Sequence, residues 1–176
     1  MPVRIAIAAV LCAGLLAGAA AVAQEPPAPT PAQQSPQALF KGVLLDDPLT
    51  ASGVKRLLRT DAGFVSPTPT FADLTGDGKT DAVVTVEDGG AAGAIAAYVL
   101  SADGDAEGKL HAVLRSQSLY QALTRVTGTT VTVTEPRFAR GDDVCCATRS
   151  LQRDYAWDPQ ARTFTRRGAR IVAGTR

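Results

Sequence analysis

The sequence predicts an α+β domain in which one or two N-terminal helices cover one face of a twisted antiparallel meander of about six to eight strands. Three observations carry that prediction. Between residues 36 and 63 apolar side chains recur at helical spacing. From Thr68 onward the period falls to two, in short β-branched or aromatic runs separated by Gly, Asp and Pro. Two of the separators, "VTGTTV" around Gly128 and "WDPQART" over residues 158–162, have the composition of hairpin turns.

Taken in order, "PQALFKGVLLDDP" places Leu39, Phe40, Val43 and Leu44 on one apolar side, and Asp46, Asp47 and Pro48 stop it. A second helix follows in "DPLTASGVKRLLRTDAG", where Val54, Leu57 and Leu58 share a face, Thr50 or Ser52 is a suitable N-cap, and Gly63 closes the last turn. The strand runs are "PTFADL", "DAVVTVED", "GAIAAYVLSA", "KLHAVLRSQS", "ALTRVTG", "TTVTVTEP", "RSLQRDYAWD" and "RTFTRRGARIV". In "TTVTVTE" Val131 and Val133 alternate with Thr, the pattern of a sheet with one wet and one dry face.

The front of the chain has a different character. Residues 1–23 carry Arg4, an apolar run and small residues at Ala21 and Ala23, which is the pattern of a secretory signal cut after Ala23. Cleavage leaves no membrane span, and Leu11 before Cys12 is a poor fit to a lipid-attachment site. Residues 24–38 hold five Pro and no bulky apolar side chain, so they read as an extended tether. Residues 39–176 are then one domain, exported to the periplasm or beyond.

Charge is divided unevenly along that domain. From Gln24 to Gly108 there are 5 Lys and Arg against 12 Asp and Glu, and from Lys109 to Arg176 there are 12 against 5. Folded together, the halves answer one another; left apart, the basic half suits an anionic envelope polymer or another envelope protein. Export argues against nucleic acid as a partner.

The stretch "FADLTGDGKTDAVV" concentrates the chemistry. An EF-hand loop sets oxygen ligands at alternate positions of about twelve residues, with Gly at the sixth and a bidentate carboxylate at the last. On that template Asp73, Thr75, Asp77, Lys79 through its carbonyl, and Asp81 are candidate calcium ligands and Gly78 makes the turn, but the last position is Val84. The same residues also suit a metal-free turn, because Asp side chains accept backbone N–H groups two residues on. A second stretch, "DGDAEGKLH", repeats the early spacing with Asp103, Asp105 and Glu107 and reads as a solvated hairpin.

This acidic loop and its following strand resemble FG-GAP and VCBS-type repeats, which build propellers and often bind calcium. With only one good copy, a propeller is disfavoured. In layout the chain resembles exported bacterial LppP/LprE-type lipoproteins, which follow a "DLTGDGKTDAVV"-like stretch with strands, a twin cysteine and a Y-x-W…F ending. Cys145, Cys146, Tyr155, Trp157 and Phe164 fall in that order here, with Ala147 where the pattern has Pro. The resemblance implies an exported single domain of unassigned activity and no catalytic residue.

Three features remain. Cys145 and Cys146 are adjacent, and neighbouring Cα atoms sit about 3.8 Å apart across a trans peptide, short of the roughly 4.4–6.8 Å that disulfides favour. They suit a vicinal disulfide fixing a bend, or a redox pair. His111 is the one histidine, and no nucleophile signature accompanies it. The terminal arginines Arg162, Arg166, Arg167, Arg170 and Arg176 suit an edge strand's charged face or an anionic partner. The expected function is that of a non-enzymatic, exported binding or structural module, calcium-stabilised if the loop holds an ion. The alternative is a thiol-active redox protein or hydrolase using Cys145 and Cys146 or His111.

Overall fold

The computed structural model describes residues 35–174. The expected signal, most of the tether and Arg176 lie outside the described residues. Helix α1 (Pro36–Asp46) starts where Ser35 Oγ accepts the Ala38 N–H at 3.2 Å, and Pro36 sits at the first position, where its missing N–H has no consequence. Residues 36–38, the end of the expected tether, are therefore its first turn.

Helix α2 (Ser52–Arg59) differs from expectation at its start. Neither Thr50 nor Ser52 is its N-cap; Ala51 is, without a side-chain bond. The reason is that the Thr50 hydroxyl is spent on Asp47 Oδ2 at 2.9 Å. At the other end the Gly63 N–H reaches back to the Leu57 carbonyl at 3.2 Å. A Cβ on Gly63 would lie 2.7 Å from the Glu87 carbonyl oxygen, so this close approach of helix exit to strand requires glycine.

Nine strands follow, arranged as two antiparallel sheets rather than one meander. The first contains β1 (Phe64–Val65), β2 (Thr70–Ala72), β3 (Asp81–Glu87), β4 (Ala94–Ser101) and β5 (His111–Gln117), in the order β1-β3-β4-β5 with β2 also on β3. The second is β6 (Leu123–Thr127), β7 (Thr130–Arg137), β8 (Arg149–Asp158) and β9 (Thr163–Ala173), in that order. The break falls at residues 118–122. Ser118 and Gln121 take φ of 59° and 45° there, and Leu119, Gln121 and Ala122 donate N–H groups to the carbonyls of Ile95, Ala92 and Ala94. That crossing of the start of β4 carries the chain into a second layer.

The layers are helices, first sheet, second sheet. Val84, Val86, Tyr98 and Leu100 pack against Phe40, Leu44, Val54 and Leu58 on the helix side. Val83, Val99 and Leu114 pack against Val131 and Phe164 of the second sheet. β3 and β4 are thus buried on both faces, and their near-continuous apolar runs follow from it. In β7 the expected alternation holds, with Val131 and Val133 buried and the intervening Thr residues half-buried.

A polar cluster fastens the helix layer to the first sheet. Arg115 forks onto Asp47, Nε to Oδ2 at 2.7 Å and Nη2 to Oδ1 at 2.9 Å. Gln117 Oε1 accepts the Ala51 N–H at 2.6 Å and the Tyr98 hydroxyl at 2.9 Å. Burial alone would raise the pKa of Asp47, but the Arg115 fork, the Leu49 N–H and the Thr50 hydroxyl outweigh it and hold the carboxyl below its ordinary value. Burial pushes the Tyr98 phenol up to about 12, and the charge of Asp47 adds to the rise. With Arg162 on Asp103 at 2.9 Å, the Asp47 pair shows the acidic and basic halves answering one another.

Removing one member of this cluster strands the other in a low-dielectric setting. Arg115→Ala is expected to lower unfolding free energy by about 2–4 kcal/mol in urea melts. The depressed Asp47 contributes stability that is full above pH of about 3.8 and is lost as pH falls through its lower folded value. The raised Tyr98 contributes stability that is full below pH 10 and is lost as pH rises towards about 12.

Candidate functional site

The acidic loop joins β2 to β3 and is closed by its own amides. Asp73 Oδ1 accepts the Gly76 N–H at 2.7 Å, and its Oδ2 accepts the Gly78 N–H at 3.1 Å. Asp77 Oδ1 accepts the Lys79 N–H at 2.8 Å. Asp81 is 1% exposed, and its Oδ2 accepts the N–H groups of Leu74 and Thr75 at 2.8 and 2.9 Å. Gly76 and Gly78 both have φ near +80°, which lets the chain double back.

Two oxygens here are buried without a hydrogen-bond partner, Asp81 Oδ1 and Thr75 Oγ1. Among the described residues no three His, Cys, Asp or Glu groups converge as a metal site. The carboxylates of Asp73, Asp77 and Asp81 each accept backbone N–H groups. These bonds make an Asx-type turn that launches β3. The second acidic stretch is a hairpin of the same kind: Asp105 Oδ1 accepts from Glu107 and Lys109, and those two amides, Lys109 first, hold its carboxyl below the ordinary value.

The other candidates are scattered. Register pairs Ala82 with Leu100 and Leu100 with Ala112, placing Asp81 and His111 at the same end of the first sheet. His111 is exposed, with Nδ1 3.5 Å from the Lys109 carbonyl and no side-chain partner among the described residues. The cysteines lie at the opposite end. Val131 packs with Val99 and Val133 with Ala97, so β7 runs away from the acidic loop and the cysteine loop follows it.

Cys145 and Cys146 are joined as a vicinal disulfide in that exposed loop. Asp142 clamps the loop by accepting the N–H groups of Ala139 and Thr148 at 2.8 and 2.9 Å and the Thr148 hydroxyl at 3.1 Å. Those two backbone bonds hold the Asp142 carboxyl below its ordinary value.

The feature that sequence reasoning missed is a groove of about 770 Å³ between α1 and β5. Leu39, Gly42 and Val43 form its helix wall, Leu49 one end, and Leu110 and Ala112 its strand wall, with Arg115 also lining it. The apolar side of α1 is in fact two faces. Phe40 and Leu44 are buried in the core, whereas Leu39 is 45% exposed and Leu49 is 65% exposed at the groove. Nothing in the sequence marks this split: Leu39, Phe40, Val43 and Leu44 span about 140° of the helix, the width of an ordinary apolar stripe, and only the packing leaves one edge of it open.

No protein-family model, curated protein or solved structure matches this chain. The geometry therefore carries the functional reading. For the loop, Asp81→Ala leaves the amides of Leu74 and Thr75 without their acceptor and is expected to cost about 2–4 kcal/mol, with Asp81→Asn losing less than half of that. Thermal melts in millimolar calcium and in chelator are expected to superimpose; an upward shift in calcium would return the loop to the metal reading.

Proposed function

We propose that this chain is a non-enzymatic binding module of a bacterial envelope, exported and of the LppP/LprE kind, that holds a small and largely apolar molecule in the groove between α1 and β5. The observation that carries the reading is the groove itself. Its volume of about 770 Å³ lies within the usual range for small-molecule sites, roughly 300–1,000 Å³. Leu39, Val43, Leu110 and Ala112 give it aliphatic walls, and Asp46, Asp47, Lys109, His111 and Arg115 supply its polar groups.

Export and kinship rest on the sequence, through the signal pattern and the acidic loop followed by the twin cysteine. The surroundings of the three features with reactive potential support binding over turnover. The acidic loop braces a strand, His111 lines the groove but has no bonded carboxylate or nucleophile among the described residues, and the disulfide sits at the far end of the sandwich.

Gly42 supplies the test. A Cβ there meets nothing within 4 Å, so a larger side chain enters the groove without disturbing the core. Leucine also favours helix over glycine by up to about 1 kcal/mol. Gly42→Leu is expected to keep or raise the melting temperature and to weaken saturable Nile red binding by at least about tenfold. Absence of saturable dye binding to the wild-type chain, or equal binding by the variant, would overturn the proposal.

A further inference from the structure

The inner face of the second sheet continues beyond the part that the first sheet covers. Val133 is fully buried, and register sets Arg153 directly opposite it. Two residues further along the pleat the same face carries Glu135 and Leu151, and two further again Arg137 and Arg149. Glu135 Oε2 accepts from Arg153 Nη1 at 3.1 Å and Arg137 Nη2 at 3.3 Å, which confirms that these side chains share one face. Glu135 thus takes two of the three arginines on this shelf, and Arg149 is left with only the more distant charge of Asp142.

Strand β9 completes it. Ile171 stands opposite Leu151 and is 58% exposed, and Arg166 stands opposite Tyr155. Neither Arg149 nor Arg166 has an ion-pair partner among the described residues. β9 is the last strand of its sheet. Thr163 at its start is fastened to β5, its hydroxyl donating to the Val113 carbonyl at 2.8 Å, while most residues from Arg166 onward are exposed.

We propose that the edge of β9 over residues 166–173 receives an extended acidic peptide segment of another protein as a fifth strand of the second sheet. The strand edge offers backbone donors and acceptors to any extended chain. Guanidinium groups beside it select carboxylate side chains, and exposed Ile171 with half-buried Leu151 offers an apolar seat between them. Pairing with a second copy of β9 is disfavoured, since it sets arginine against arginine. A phosphate polymer meets the arginines but has no amides for the edge and no side chain for the apolar seat. This inference is independent of the α1–β5 groove.

The test uses the full chain and a fluorescein-labelled decapeptide of alternating Glu and Val. Expected are saturable binding by anisotropy and slowing of amide hydrogen exchange in residues 167–173 by at least about fivefold. The double variant Arg149→Gln with Arg166→Glu, two exposed positions without an ion pair among the described residues, is expected to weaken binding at least about tenfold at an unchanged melting temperature, the neutral Gln avoiding like charge beside Asp142. The same peptide N-methylated at alternate residues is expected not to bind. The proposal is overturned by no binding, by equal binding of the N-methylated peptide or the double variant, or by polyphosphate competing as well as the peptide without protecting the β9 amides.

Discussion

The constraint on which the rest of the molecule depends is that β3 and β4 are buried on both faces. Val84, Val86, Tyr98 and Leu100 require one cover and Val83 and Val99 another, so the chain must supply a layer on each side. The two short helices form the first cover and the β6–β9 sheet the second. At about 1.5–3 kcal/mol for each fully buried aliphatic or aromatic side chain, these central strands supply a large part of the driving force. Helices of 11 and 8 residues would be marginal without that surface.

Polar groups locate what apolar burial drives. The Arg115 fork on Asp47 and the bonds of Gln117 to Ala51 and Tyr98 fix where the helix layer sits on the sheet. At the entrance to β3, Asp81 does the same for the acidic loop by taking the amides of Leu74 and Thr75. A carboxylate so placed holds a chain reversal against the end of a buried strand. The two surfaces proposed to bind are then what the layers leave uncovered: the open edge of α1's apolar side, and the edge of β9 beyond the reach of β5.

Much of this architecture was legible in the residues. The change from helical to alternating period near Thr68 located the helix layer and the strands, and the Thr–Val alternation of β7 identified a sheet with one dry face. Less legible was the division into two sheets, because it depends on residues 118–122, where "SLYQA" has no Gly or Pro to announce a crossing and uses positive φ at Ser118 and Gln121 instead. The strand β1, of two residues, is too short to show a period. Of the sites, the turn chemistry of the acidic loop follows from Asp spacing alone, which is local. The groove does not, since its two walls, Leu39 and Val43 against Leu110 and Ala112, are brought together only by the fold.

Native-state hydrogen exchange measures the central constraint directly, because amides in the part of the structure that opens only on global unfolding exchange last. Double-sided burial predicts that the slowest amides are those of Ala82–Val86 and Ala96–Leu100, with β6 and β9 exchanging earlier. Slowest exchange in β7 and β8, with β3 and β4 opening before them, would contradict the account.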